Sequence, residues 1–270
     1  MKRLFEGTGT ALSTPFNHDG SIDFASFDRL IDYQMDRGIE ALVVCGSTGE
    51  SATMSLDEKL SVIGHAVRRA AERGDARPQV IAGTGSNVTA DTVQLTKSAE
   101  ELGVDGVLLV SPYYNKPSQR GIYAHYAAVA EAVPELPLIL YNVPGRTGSN
   151  ITADTTLTLA NDFPNIQATK EASADLEQCS AIIQDAPDGF MLYSGEDSLT
   201  LPLLALGARG VIAVVSNEAP HEFGEMVRKG LSGDFTGARE LHMRLFNLMC
   251  LNFIESNPVP VKAALHQVGS

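Results

Sequence analysis

The sequence predicts an α/β chain folded as a (β/α)8 TIM barrel with a small C-terminal helical appendage. Three observations carry the prediction. Short β-rich runs alternate with stretches of helical period; eight such runs occur; and 270 residues with 44% hydrophobic content suit one barrel of moderate size with a sizeable core. The barrel is expected over residues 1–230 and the appendage over residues 231–270.

In chain order the strand runs are "GTALSTPF", "ALVVCGS", "QVIAGTG", "GVLLVSP", "LILYNVP", "IQATKEA", "FMLYSGE" and "GVIAVVS". After the first run, Phe24, Phe27, Leu30, Ile31 and Met35 recur at helical spacing and predict a helix from Phe24 to Arg37. Similar stretches run from Leu56 to Arg73, Thr89 to Leu102, Gly121 to Val133 and Asp175 to Gln184. Asp57, Thr89 and Asp175 stand near helix starts, where an oxygen side chain can accept from unpaired N–H groups. Past the eighth run, Glu218 to Gly230, Phe235 to Phe253 and Val259 to Val268 read as further helices, more than a barrel needs. A doubly wound open sheet is the competing architecture. It lacks support because "GTGT" and "GTGSN" have neither the spacing nor the context of a dinucleotide fingerprint.

The formal charge of -13 disfavours nucleic acid and anionic membrane surfaces, which require clustered Lys and Arg. No apolar run approaches a membrane span, and "MKRLFEGTGTALSTPF" lacks the apolar stretch and cleavage site of a signal peptide, so a cytoplasmic protein is expected. Cys45, Cys179 and Cys250 are odd in number and far apart, and the six histidines make no metal-ligand spacing. Neither a disulfide framework nor a metal site is expected.

In such barrels the chemistry lies at the carboxyl ends of the strands, and here those ends deliver "GSTGE", "SPYYNKP", "YNVPGRTG", "TKEAS" and "SGED". A lone lysine ending a strand ordinarily escapes into solvent. Lys170, ending a closed barrel strand, looks instead into a shared mouth, where desolvation disfavours an ammonium and leaves an amine able to attack a carbonyl. Such Schiff-base chemistry needs a group that ferries protons, for which Tyr141 with a neighbouring hydroxyl is the candidate, a satisfied core tyrosine being the alternative. "GSTGE" offers glycines, hydroxyls and closely spaced N–H groups from which a carboxylate cradle can be built, or else an ordinary turn. Arg146 presents paired donors matched to a second carboxylate, or else a surface arginine.

Together and in this order, "GSTGESAT", "VIAGTGSN", "SPYYNKPSQRGIYAHY", "ILYNVPGRTG", "TKEAS", "SGED" and "NPVPVKAAL" resemble the dihydrodipicolinate synthase and N-acetylneuraminate lyase superfamily of class I aldolases. The resemblance covers nearly the whole chain, and "PYYNKPSQ" with the arginine of "YNVPGRTG" is closer to the synthase branch. It implies condensation of pyruvate with L-aspartate 4-semialdehyde to 4-hydroxy-tetrahydrodipicolinate, on the diaminopimelate route to lysine, without a cofactor. It further implies that Lys170 forms the imine, Tyr141 moves the proton, and Ser47 and Tyr114 complete a relay in which Tyr114 reaches in from a partner subunit. Ser47 and Thr48 would hold the pyruvate carboxylate and Arg146 that of the aldehyde, with Gly195 and Ile212 lining the pocket. A homo-oligomer is implied, at least a dimer, with a tetramer as the larger alternative.

Ser47 stands where synthases usually carry threonine and the lyase branch often carries serine, which keeps an N-acetylneuraminate lyase or another pyruvate-dependent 2-keto acid aldolase as the second reading. A barrel that has lost catalysis and serves as a binding module is the third. At the family's lysine effector site, Ser51, Ala52, Asn87, Asp91 and Tyr113 resemble the lining, but Leu56 and Lys59 stand where lysine-sensitive members tend to have histidine. A cationic Lys59 repels a lysine effector, so feedback inhibition is expected to be weak or absent. The chain ends at Ser270, earlier than most members, and a short appendage is expected.

Overall fold

A computed structural model describes residues 2–267. The strands β1 (Gly7–Ala11), β2 (Ala41–Val44), β3 (Gln79–Gly83), β4 (Gly106–Val110), β5 (Leu138–Asn142), β6 (Ile166–Glu171), β7 (Met191–Ser194) and β8 (Gly210–Ala213) close into one barrel in sequence order. Every neighbouring pair is parallel, including β1 with β8. Around them lie α1 (Phe24–Asp36), α2 (Leu56–Ala71), α3 (Thr89–Glu101), α4 (Gln119–Ala132), α5 (Pro144–Thr147), α6 (Ala153–Asp162), α7 (Leu176–Asp185), α8 (Thr200–Leu206) and α9 (Pro220–Leu231). Two more helices follow, α10 (Phe235–Leu251) and α11 (Val259–Gln267); Val268, expected to extend the last, lies outside the described residues.

The period of two along each strand divides the core into two shells. Val43, Ile81, Leu108, Ile139, Ala168 and Ile212 point into the barrel, while Leu42, Val44, Val80, Leu109 and Leu140 pack outward with Ile31, Ile63 and Ile122 of the helices. Each fully buried Leu or Ile of this kind is worth about 1.5 to 3 kcal/mol of burial. The lower end of the barrel is plugged by Phe5, stacked on Tyr193 with centroids 4.7 Å apart, and the Tyr193 hydroxyl donates to the Phe5 carbonyl. The reactive end is therefore the opposite one.

Two differences from the sequence expectation have physical causes. The first strand begins at Gly7 and ends at Ala11, because pairing with β8 starts at Gly7↔Gly210 and a Cβ on Gly210 would lie 2.1 Å from the Gly7 carbonyl oxygen. Helices α6 and α8 are not picked out by apolar spacing. The first, "ADTTLTLAND", buries threonines on its inner face, and the second, "TLPLLAL", is too short and uniformly apolar to show a period. Apart from the single-turn α5, which the sequence reading also leaves out, the boundaries elsewhere agree to within two or three residues, and side-chain caps mark them: Asp23, Ser118, Thr152 and Asp175 each accept from an N–H three residues on, and Ser55 with Glu58 forms a capping box.

Helix α11 does not hang free of the barrel. Its Val261 and Leu265 belong to the same apolar cluster as Phe27 and Leu30 of α1. The segment between α10 and α11 is thereby drawn over the barrel mouth.

Candidate active site

Strand alternation decides where Lys170 goes. Ala168 points inward, Thr169 outward and Lys170 inward again, one layer nearer the mouth, where only 6% of the residue is exposed. Tyr141 of β5 is its register partner, and the lysine Nζ lies 4.3 Å from the centre of the tyrosine ring. The next residue on each strand points outward into a buried polar knot. Asn142 Nδ2 donates to Glu171 Oε1 at 3.0 Å, Gln178 Nε2 to Oε2 at 2.8 Å and the Ser173 N–H to Oε1 at 3.0 Å. Burial raises the Glu171 pKa above the usual carboxylate range, opposed by these donors. The knot fixes β5 to β6 directly behind the amine and the phenol.

The loop after β2 bends through two left-handed residues, Cys45 at φ 55° and Glu50 at φ 57°, which turns Gly46, Ser47 and Thr48 back toward the barrel axis. A Cβ on Gly83 would lie 2.2 Å from the Cys45 carbonyl oxygen, so this bend needs glycine on β3. Thr48 is buried, and its Oγ1 accepts from Asn257 Nδ2 at 2.9 Å. Arg146, on the one-turn helix α5, is exposed at the outer lip, where its Nη2 donates to the Asn257 carbonyl at 3.2 Å.

After β7, Gly195 meets the end of β6 so closely that a Cβ would lie 2.6 Å from the Ala172 Cβ. Asp197 is buried and accepts from the N–H groups of Val214 at 3.0 Å and Val215 at 2.7 Å; burial pushes its pKa up to about 6. Glu196 lies beside it, and burial raises its pKa as well, opposed by the Lys170 and Arg146 cations.

These groups converge on one cavity of about 40 Å³, with Lys170 and Tyr141 deep in it, Ser47, Thr48 and Gly195 on its sides and Arg146 at the edge. A second cavity of the same size lies between Ser47, Tyr141, Ser51 and Gly85. Among the described residues no hydrogen bond ties the Tyr141 hydroxyl to that of Ser47. The arrangement places an amine, two hydroxyl-bearing side chains and a phenol within one pocket, with a cation above them.

Not every expected residue comes to that cavity. Ile212 is fully buried in the apolar interior with Tyr141, and Val214, two residues further along the chain, lines the wall instead. Tyr114 is 89% exposed, at φ 72°, with its N–H donating to the Thr147 carbonyl; it lies outside this chain's own pocket. Around the proposed effector site, Asn87 Nδ2 donates to the Tyr113 carbonyl at 3.2 Å, Ala52, Leu56 and Asp91 are exposed, and Ser51 and Lys59 are half-buried. Cys45 and Cys179 are buried free thiols, each pushed up to about 12 by desolvation, and Cys250 is exposed. Among the described residues no three metal-capable side chains lie together, and no helix is long and apolar enough to cross a membrane.

Three lining residues escape sequence reasoning about strand ends: Glu196, Phe253 and Asn257. Glu196 stands inside "SGED", and Asn257 opens "NPVPVKAAL", but only the fold brings the C-terminal segment over the mouth.

The sequence matches the model of the Dihydrodipicolinate synthetase family over residues 4–270. It is 52% identical over 260 residues to the 4-hydroxy-tetrahydrodipicolinate synthase of Moorella thermoacetica, spanning 96% of this chain and 87% of the relative. To that of Aquifex aeolicus it is 47% identical, spanning 98% and 88%. The crystal structure of dihydrodipicolinate synthase from Aquifex aeolicus superposes with a TM-score of 0.95 over the same shares of the two chains. The structure of the Cyanidioschyzon merolae enzyme with lysine bound, 43% identical, also gives 0.95, over 99% and 90%. With a barrel, a buried strand-end lysine and a match over nearly its full length, this chain belongs to the dihydrodipicolinate synthetase family.

Proposed function

We propose that the protein is a 4-hydroxy-tetrahydrodipicolinate synthase, a lyase that condenses pyruvate with L-aspartate 4-semialdehyde in lysine and diaminopimelate biosynthesis. The observation that carries this reading is the buried amine of Lys170, 4.3 Å from the Tyr141 ring in a cavity that also holds Ser47 and Thr48. The pyruvate carboxylate sits against the Ser47–Thr48 loop, which brings C2 to the lysine. The amine attacks C2, and loss of water gives the protonated imine, an electron sink that lets a methyl proton leave. Tyr141 hands protons through that sequence, with Ser47 as its neighbour and Tyr114 of a partner subunit as the third hydroxyl. The resulting enamine attacks the aldehyde carbon, whose own carboxylate is held by Arg146 and whose oxygen takes a proton from Tyr141. The amino group of the former aldehyde, once neutral, then displaces Lys170 from the regenerated imine, which closes the ring and frees the lysine. Substrate and lysine together form the electron sink, so no cofactor is required. The assembly is a homo-oligomer of at least two subunits, in the cytoplasm.

Reduction with borohydride in the presence of pyruvate tests the first half: a pyruvyl-sized mass on Lys170 is expected, and none refutes the imine. A coupled assay tests the second half. Turnover of pyruvate with aspartate semialdehyde is expected, and activity only in cleavage of N-acetylneuraminate refutes the synthase.

A further inference from the structure

The loop that carries Ser47 and Thr48 is held by a cation that lies outside the cavity. Lys262, the lysine of "NPVPVKAAL", sits on α11, whose Val261 and Leu265 anchor the helix in the core. Its Nζ donates to the Glu50 carboxylate and, at 3.0 Å, to the Thr14 carbonyl, and it lies 4.7 Å from the centre of the Phe16 ring. Among the described residues the Glu50 carboxylate makes no other ion pair or hydrogen bond. Thr14 is buried and donates through its own Oγ1 to the Gly49 carbonyl at 2.8 Å. One ammonium thus ties together α11, the segment after β1 and the loop after β2. Neither Lys262 nor Glu50 lines the cavity that holds Lys170.

The loop needs such a tie. Glu50 stands at φ 57°, in the left-handed region that a non-glycine residue keeps only under constraint. Its N–H donates to the Ser47 carbonyl at 3.1 Å, and the Ser51 N–H donates to the Gly46 carbonyl at 3.4 Å, so the turn at Glu50 is passed directly to the residues that face the cavity. Gly49 leaves no slack, since a Cβ there would lie 3.1 Å from the Leu12 carbonyl oxygen and 3.2 Å from the Cys45 nitrogen. We infer that Lys262 is a positioning residue for the proposed imine chemistry, on which this inference rests: by holding Glu50 in its left-handed conformation it presets the Ser47–Thr48 cradle for the carboxylate of pyruvate. It touches no substrate and moves no proton. Ordering the loop beforehand removes that ordering from the binding step. Loss of Lys262 therefore weakens capture of pyruvate and leaves the later steps, in which the substrate is covalently attached, nearly unchanged.

The test reads pyruvate capture without the second substrate. The rate of borohydride trapping on Lys170 is followed over a range of pyruvate concentrations, and the half-saturating concentration is compared among variants. Lys262→Met, which keeps the stem against Phe16, and Glu50→Gln, which keeps the size of the side chain, should each raise it about tenfold. The double variant Lys262→Met/Glu50→Gln should be no weaker than the weaker single one, because both remove the same tie. Lys262→Arg should recover most of the loss. In the coupled assay kcat and the aldehyde KM should shift less than about twofold. The assignment falls if Lys262→Met stays within about twofold of the unaltered protein, if the two losses multiply in the double variant, or if the aldehyde KM rises in step with that of pyruvate. Should Lys262→Met undock α11, seen as a lowered melting temperature, Glu50→Gln alone decides, since it leaves the core contacts of that helix untouched. Failure of the unaltered protein to give any adduct with pyruvate overturns the imine reading, and this assignment with it.

Discussion

Lys170 and Tyr141 face each other because of register. Leu140↔Thr169, Tyr141↔Lys170 and Asn142↔Glu171 are consecutive pairs, so the amine and phenol point inward while their successors lock the strands from behind. Removal of the amine should therefore be chemically total and structurally mild: Lys170→Ala is expected to lose the borohydride-trapped adduct while keeping its circular dichroism and melting profile. An unfolded variant would show the side chain to be core. Arg146 sits at the exposed lip with a single tether to Asn257. Arg146→Ala should raise the aldehyde KM by about 10- to 100-fold with little change for pyruvate, and unchanged aldehyde kinetics would remove it from the site. Lys59, half-buried on α2, adds a positive charge beside the exposed Leu56. Half-maximal inhibition by micromolar lysine would contradict the weak feedback expected from that charge. The strand-end residues were legible in the sequence because a period of two and a barrel topology together fix their direction. Asn257 was not, since the hydrogen bond that brings it to Arg146 spans 111 positions that no local pattern records.

The loops after β7 and β8 are joined through one side chain. Asp197, in the turn after β7, accepts from the two N–H groups that follow β8, which ties the two loops together just beyond the β7–β8 ladder. Burial comes first among the influences on its pKa and lifts it to about 6 from an ordinary 3.8, with the two N–H donors opposing. Between those values the folded chain holds a proton that the unfolded chain has lost. Stability contributed by this group therefore falls as pH rises from about 4 to about 6, by at most about 3 kcal/mol. Asp105 has the opposite sign: burial raises its pKa, but the bidentate Arg77 and the Val80 N–H outweigh that and hold it below the ordinary range, so its contribution is lost as pH falls. A difference measurement separates the two. Asp197→Asn should gain stability relative to the unaltered protein on going from pH 4 to pH 7 in urea unfolding, and a difference independent of pH would show that Asp197 titrates normally. The turn residues "SGED" were visible in the sequence, but the partner N–H groups were not. Backbone donors at the end of another strand carry no sequence signature.

Tyr114 is the residue through which the proposed assembly would be joined. A non-glycine residue at φ 72° costs on the order of 1 kcal/mol, and here the strain displays a phenol that is 89% exposed. Its backbone is held there by a 3.0 Å N–H bond to the Thr147 carbonyl, next to Arg146, so the display is built into the rim of the site and is not a frayed loop end. Among the described residues the Tyr114 hydroxyl makes no hydrogen bond, whereas a neighbouring copy related by a two-fold axis would receive the phenol while giving its own in return. Sedimentation at micromolar concentration should give a dimer or larger, and activity per subunit should fall on dilution as the copies separate. Tyr114→Phe should lower kcat by about 10- to 100-fold without changing the sedimenting species, because it removes a proton-relay hydroxyl and leaves the ring to pack. A fully active monomer indifferent to Tyr114→Phe would instead mean that Tyr141 and Ser47 complete the proton path inside one barrel.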